Sequence, residues 1–328
     1  MRVAMALNLV TGAAGFIGSH LCENLLRKGE RVRAFIHYNS RNFWGWLEKS
    51  KCRDRIEIMT GDVRDLDSVT RAVNGVTRIY HLGALIGIPY SYESPLAYIR
   101  TNIEGTYNIL EAARRFDVER ILITSTSEVY GTALYVPIDE KHPLQPQSPY
   151  SASKIGADNL ALSYHLSFDL PVVIARPFNT FGPRQSSRAI IPTIVTQLLS
   201  GIKEIPLGNL APRRDLTYVE DTVEAIRLIS LEKQFIGKAV NIGSQKEFSV
   251  GEIFEKLCAL LGSPARVRME PERVRPNNSE VMRLLCDASL LKEATGWAPL
   301  YSLDAGLEQT VAWLRDHLEL YKPDTYNR

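Results

Sequence analysis

The first half of the chain alternates short apolar runs with longer amphipathic ones. "LNLVTG", "RVRAFI", "RIEIMTGD", "RIYHLGA", "RILITSTS" and "PVVIAR" read as strands, because each is a run rich in Val, Ile and Leu that ends on a turn-forming or small residue. Between them, "SHLCENLLRKG", "SVTRAV", "GTYNILEAARRF" and "SPYSASKIGADNLALSYHLSF" place apolar side chains at helical spacing. Strands this short, alternating with helices, predict an α/β fold, a doubly wound parallel sheet of Rossmann type. After Arg176 the rhythm changes, and stretches such as "PLGNLAPRRDLTYVED" and "RMEPERVRPNNSEV" are richer in Pro, Gly and Arg. The pattern predicts a dinucleotide-binding domain over 1–175 and a smaller, loop-rich substrate lobe over 176–328, with "AVNIGS" near 239–244 returning to the sheet.

Composition narrows the function classes. A length of 328 residues suggests two lobes at about 150 residues per domain, and 45% apolar with 23% charged residues is ordinary for a globular protein. Thirty-nine basic against 37 acidic residues leave a net charge of +2, which gives no field for nucleic acid or a membrane surface. No run approaches the roughly 20 apolar residues of a membrane span, and the N-terminus lacks the layout of a signal peptide. The four cysteines, Cys22, Cys52, Cys258 and Cys286, form no CxxC pair and the histidines no HExxH pair, so neither a metal site nor a disulfide framework is expected. The expected location is the cytoplasm.

The chemistry begins at "LVTGAAGFIGSHL", where Gly12, Gly15 and Gly18 sit between a strand and a helix. Glycines let the backbone turn tightly and approach a pyrophosphate, which rests on the N–H groups of the helix start, here those of Phe16 and Ile17. At the end of the second strand the acid that usually binds a ribose hydroxyl is missing. His37, Tyr38 and Asn39 stand there, followed by Ser40 and Arg41, so the choice between NAD and NADP stays open. Asp62 in "TGDVRD" is placed to bond an adenine amino group while Val63 packs on its face, and Leu82 and Ala84 follow the fourth strand. Tyr150 and Lys154 in "YSASK" lie one helical turn apart on one face. An ammonium there lowers the pKa of the phenol and binds cofactor ribose, making Tyr150 a base for a sugar hydroxyl. Phe43, Trp44 and Trp46 suit either a cofactor cover or the core.

The ordered set TGAAGFIG, GDVRD, HLGA, TNIEGT, STSEVYG, YSASK, RPFNTFGPR, RRDLTYVED and RPNNSEV resembles the extended short-chain dehydrogenase/reductase family, whose members act on nucleotide-activated sugars. HLGA departs slightly, since Ala-Ala is commoner than Gly83-Ala84. The Thr126-Ser127-Glu128 triplet looks like that of GDP-mannose 4,6-dehydratases, whereas the dTDP-glucose enzymes usually carry Asp at the position of Ser127. The resemblance implies Tyr150 as base at carbon four, Thr126 bonding the same hydroxyl and Glu128 as base at carbon five. Departure of the carbon-six hydroxyl falls to Ser127, to water or to Glu128 itself. It also implies that Asn179, Arg184, Arg214 (with Arg213 as its competitor) and Arg275 hold the substrate. The cofactor would be tightly bound and regenerated in each turnover, and the helices of "TNIEGTYNILEAARRF" and "YSASKIGADNLALSYHL" would pair in a homodimer.

Longer stretches, "YNSRNFWGWLE", "GALIGIPYSYESP" and "RPFNTFGPRQSSRAIIPTI", resemble the bacterial dehydratases of the legionaminic acid type. Those act on nucleotide-activated N-acetylglucosamine, which implies a GDP- or UDP-linked substrate and a 4-keto-6-deoxy product. A UDP-glucuronate decarboxylase is the nearest rival, a 4-epimerase the third reading, and a non-catalytic NADP-binding regulator the alternative from another class.

Overall fold

The computed structural model describes residues 6–323 and 325. Six strands, β1 (Leu7–Thr11), β2 (Arg31–His37), β3 (Ile56–Gly61), β4 (Arg78–His81), β5 (Arg120–Thr124) and β6 (Val172–Pro177), form one sheet as the apolar runs predict. Beyond β6 come β7 (Asn179–Phe181), β8 (Glu204–Leu207), β9 (Arg213–Tyr218), β10 (Ala239–Ile242), β11 (Glu247–Ser249), β12 (Arg266–Met269) and β13 (Arg283–Leu284). Of these, β10 joins the main sheet, whose order is β10-β6-β5-β4-β1-β2-β3 with every neighbour parallel. Helices cover both faces of this sheet, so β1 and β6 are buried along their whole length and carry no polar-outward alternation.

One face is covered by the helices Phe16–Arg27 and Val219–Leu231, the other by Leu66–Val73, Gly105–Arg114 and Pro149–Phe168. On the second face Leu9, Ile79, Ile121, Ile123 and Ile174 meet Val69, Ile109, Ala113 and Ala161 in a sealed layer. Each fully buried aliphatic side chain there stabilises the fold by roughly 1.5–3 kcal/mol. The stretch after Arg176 contains more helix than its Pro, Gly and Arg content suggests: Ile190–Leu199, Val219–Leu231, Val250–Leu261 and Leu303–Asp316 each run ten residues or longer. Val219, Val223, Ile226 and Ile229 pack in the same core as Tyr80 and Leu122, so residues 219–231 and 239–242 are built into the N-terminal layers. Strands β7, β9, β11 and β13 form a second small sheet, and β8 pairs with β12. Among the described residues no helix is long and apolar enough to cross a membrane.

The order of the main sheet reverses between β1 and β4, which leaves a crevice at their carboxyl ends. Gly12 lies at its mouth with φ of +67°, and a Cβ there would come 2.9 Å from the backbone nitrogen of Gly83, so only glycine fits. The side chain of Thr11 closes the other side of this turn. Its oxygen accepts from the N–H groups of Leu82 (3.1 Å) and Gly83 (2.9 Å), so its own O–H is directed at Nδ1 of His81, 2.8 Å away. His81 is therefore neutral with its proton on Nε2. Burial, reinforced by the charge of Lys154, pushes its pKa down to about 3.

This buried imidazole gives a pH signature. Below the unfolded pKa near 6.5 the unfolded chain takes up a proton that the folded chain refuses, so stability falls as the pH drops from 6.5 toward 3. Between pH 6.5 and 5 the loss is about 2 kcal/mol. Urea titrations of the wild type and His81→Asn at pH 8 and pH 5 should show the wild type losing that much more; parallel losses would refute the neutral, buried imidazole.

Candidate active site

Along "STSEVYG" burial alternates. Ser125, Ser127 and Val129 are buried, while Thr126 and Glu128 are half-buried and line a cleft of about 1010 Å³. Thr126 caps a short 3-10 turn over Ser127–Tyr130, its hydroxyl accepting from the N–H of Glu128 at 3.2 Å. The cap fixes which side chains of the stretch face the cleft. Ser127 is only 2% exposed and does not line the cleft, so the expectation that its hydroxyl assists a leaving group is corrected: the turn that presents Thr126 and Glu128 points residue 127 inward.

Tyr150 and Lys154 reach the same cleft from the helix Pro149–Phe168. That helix begins on a reciprocal cap, in which Ser148 and Ser151 each bond the other's backbone N–H, with Pro149 at its first turn. Burial pushes the Tyr150 phenol above its ordinary pKa; the Thr126 hydroxyl pulls against this and the charge of Glu128 adds to it. Lys154 Nζ donates to the carbonyl of Thr124 at 2.7 Å, and burial lowers its pKa against the opposing charge of Asp158. The expectation that Lys154 lowers the Tyr150 pKa is thus corrected, since Lys154 is not among the groups that shift it. Here burial dominates at Tyr150, and Thr126 is the group that favours its phenolate.

Beneath the site, Asp158 from the same helix pairs with Arg176 of β6 at 3.1 Å and accepts from Ser125 Oγ at 2.8 Å, all three buried. Arg176 Nη1 donates to the Tyr130 hydroxyl (3.0 Å), which donates to Asn241 Oδ1 on β10 (2.8 Å). Asn102, in the π-helical segment Ile99–Glu104, donates to Ser153 Oγ and to the Leu85 carbonyl and accepts from the Leu85 N–H. It ties the loop after β4 to the catalytic helix.

The cofactor half of the cleft is lined by Gly12, Gly15, Phe16, Ile17, Gly18, Leu82 and Ala84, with His37 at the end of β2. The glycine turn before the helix Phe16–Arg27, which a Cβ at Gly12 would obstruct, and the open path from it to Lys154 fit a dinucleotide. Five of the expected cofactor residues do not line the cleft. Asn39 spends both ends of its amide on the backbone of Phe43, closing its own loop, and Ser40 and Arg41 are exposed beyond the cleft. The Asp62 carboxylate is held by Arg64, whose hydrogen bond is the main reason its pKa is lowered, and Val63 sits beneath Gly83 and Gly105. The residue that does stand where the ribose acid is missing is His37. Trp44 lies under Arg53 and Trp46 against Trp313, so neither covers the cleft.

In the substrate half, Asn179, Arg214 and Arg275 line the cleft. Neighbouring side chains on β9 point to opposite faces, which separates the two arginine candidates. Arg214 enters the cleft, whereas Arg213 pairs with Glu247 and Glu252 outside it. Arg184 is corrected: it bonds Ser19 and Glu23 on the helix Phe16–Arg27 and braces the lobes instead of lining the cleft. Sequence reasoning missed Arg188, which reaches over to Gly87, and Glu280, between Arg214 and Arg275. Both lie inside quoted motifs, in "RQSSRAI" and "RPNNSEV", but nothing in their spacing reports that distant segments converge.

Residues 9–310 match the family described as GDP-mannose 4,6 dehydratase. Among curated relatives, a dTDP-glucose 4,6-dehydratase of Xanthomonas campestris pv. campestris is 34% identical, over 94% of this chain and 93% of its own. A UDP-N-acetyl-alpha-D-glucosaminuronate decarboxylase of Bacillus cytotoxicus is 32% identical, over 94% and 97%. Among solved structures, the dTDP-glucose 4,6-dehydratase DesIV of Streptomyces venezuelae, crystallised with NAD bound, has a TM-score of 0.87 at 31% identity, covering 97% of this chain and 99% of that one.

Removing the carboxylate of Asp158 would leave Arg176 charged and buried without its counter-ion. Asp158→Ala should therefore lower the unfolding free energy by about 3–5 kcal/mol in urea titration, and a loss under about 1 kcal/mol would show that the pair does not anchor the helix.

Proposed function

The chain belongs to the GDP-mannose 4,6 dehydratase family of nucleotide-sugar dehydratases and epimerases, and within it we propose that this enzyme is a nucleotide-sugar 4,6-dehydratase. The observation that carries the reading is the pairing of Thr126 and Glu128, projected from one capped turn, with Tyr150 in one cleft. An epimerase needs an acid–base group only at carbon four. A dehydratase also needs a base at carbon five, and Glu128 supplies a carboxylate in the right cleft.

Gly12, Gly15, Phe16, Ile17 and Gly18, with Lys154 on the ribose, would hold a nicotinamide dinucleotide, NAD or NADP, which would supply reversible hydride transfer. Tyr150 takes the proton of the carbon-four hydroxyl, with Thr126 bonded to the same oxygen and favouring the phenolate while Lys154 binds the cofactor ribose. The resulting ketone acidifies the carbon-five hydrogen, which Glu128 removes as a proton. With Ser127 turned inward, Glu128 passes this proton to the departing carbon-six hydroxyl, which leaves as water. Carbon six then receives the hydride and carbon five a solvent proton, giving the 4-keto-6-deoxy sugar. Arg214 and Arg275 bind the pyrophosphate, for which guanidinium groups offer paired donors.

The likeness of the long motif stretches to the legionaminic acid type supports a GDP- or UDP-linked N-acetylglucosamine as substrate. Exposed Tyr107, Leu166 and Phe168 on the helices Gly105–Arg114 and Pro149–Phe168 support a homodimer through those helices. Decarboxylation of a UDP-uronate is the second reading, favoured by the Bacillus cytotoxicus relative.

Incubation with GDP- and UDP-N-acetylglucosamine, UDP-glucose and UDP-glucuronate in deuterated water, followed by mass spectrometry, separates these readings. Dehydration removes one water and leaves one deuterium at carbon five; loss of carbon dioxide from the glucuronate alone would replace the proposal with the decarboxylase. In Glu128→Gln, oxidation at carbon four should proceed and elimination should stop, so reduced cofactor accumulates as absorbance near 340 nm when substrate is added. Full dehydration by that variant would remove Glu128 from the mechanism.

A further inference from the structure

The two cleft arginines share one carboxylate. Oε1 of Glu280 lies 3.5 Å from Arg214 Nη2 and 3.5 Å from Arg275 Nη1. At that separation the contact is ionic and neither N–H group is well hydrogen-bonded. Arg275 Nη1 is buried and finds no hydrogen-bond partner among the described residues, and Arg214 uses its other terminal nitrogen on the carbonyl of Arg213 at 3.0 Å. A counter-ion whose only task was to neutralise these guanidiniums would close to hydrogen-bond distance. The spacing instead leaves donors aimed at a point where further acceptor oxygens fit.

The backbone that carries Glu280 is anchored on several sides. Tyr92 bonds Ser279 Oγ at 2.7 Å, the Ser279 hydroxyl donates to the Gln147 carbonyl, and the N–H of Met282 donates to Thr132 Oγ1 at 3.3 Å. Ser279 and Met282, on either side of Glu280, are thus tied to the loop after β5 and to the helix Ile88–Glu93. Glu280 lines the cleft with both arginines.

We propose that the Glu280 carboxylate is a built-in competitor for the pyrophosphate: it takes the anion position between Arg214 and Arg275 and is displaced when the diphosphate of the nucleotide sugar enters. The inference rests on the reading of those arginines as the diphosphate clamp. A negative charge that must be displaced from an anion site keeps the two guanidiniums from repelling each other and lowers the affinity for diphosphate-containing substrate and product alike. It therefore favours release after each turnover.

The test is calorimetric titration of the cofactor-loaded enzyme with UDP and with GDP, which carry the diphosphate and undergo no reaction. Glu280→Gln should bind the nucleotide that the wild type binds about tenfold more tightly, because a like charge has been removed from the site. Glu280→Asp keeps the charge and should bind within about twofold of the wild type, against the roughly tenfold gain expected for the neutral variant. Equal or weaker binding by Glu280→Gln, with the wild type binding normally, overturns the competitor role alone. Failure of the wild type to bind either nucleotide would count against the reading of a GDP- or UDP-linked substrate. A crystal structure of the wild type with the bound nucleotide gives a readout independent of any variant. Glu280 should be rotated off both guanidiniums there, and a carboxylate still 3.5 Å from each with the diphosphate in place would refute the proposal.

Discussion

A carboxylate with no exposed surface, Asp158, meets a guanidinium nearly as deeply buried, Arg176, and the active site is arranged around that contact. Moving either charge out of water costs several kcal/mol, and the cost is offset only when geometry and further hydrogen bonds are good. Ser125 supplies one such bond to Asp158, and the Tyr130 hydroxyl accepts another from Arg176. Each partner comes from a different element: the catalytic helix, the end of β5, β6 and the turn that carries Glu128. Satisfying one ion pair therefore sets where Tyr150 and Lys154 stand relative to Thr126 and Glu128. The network continues through Tyr130 to Asn241, whose own amide donates to the carbonyl of Ile138, so β10 and the loop after the Ser127–Tyr130 turn are held together.

The cleft has a matching division of labour. At its sheet end the requirement is backbone proximity: Gly12 approaches Gly83 too closely for any side chain, and Thr11 gathers the Leu82 and Gly83 N–H groups and orients His81. At its far end the requirement is charge. Arg214 and Arg275 are brought together with Glu280 by segments more than sixty residues apart in the chain, and the alternation of β9 sends Arg213 to the surface salt bridges instead. Arg184 shows the opposite outcome for a residue of similar appearance in sequence. Its guanidinium is taken by Glu23 and Ser19, so it stiffens the junction between the glycine-turn helix and the second lobe.

The parallel sheet, the glycine turn and the Tyr150–Lys154 pair were legible in the sequence because each is written in local spacing: strands as short apolar runs, a turn as three glycines, a shared helix face as four residues. Thr126 and Glu128 were legible only through the resemblance that the STSEVYG stretch carries; that both face the cleft follows from the capped turn seen in the structure. Tertiary structure decided what depends on segments meeting. It turned Ser127 inward, spent Asn39 on its own loop and Asp62 on Arg64, and chose Arg214 over Arg213. It also set Glu280 between two arginines and made burial the largest influence on the Tyr150 phenol. The physical reason is range: backbone conformation answers to neighbours within a few residues, whereas the partner of a charge and the water it loses are fixed only when distant parts of the chain close around it.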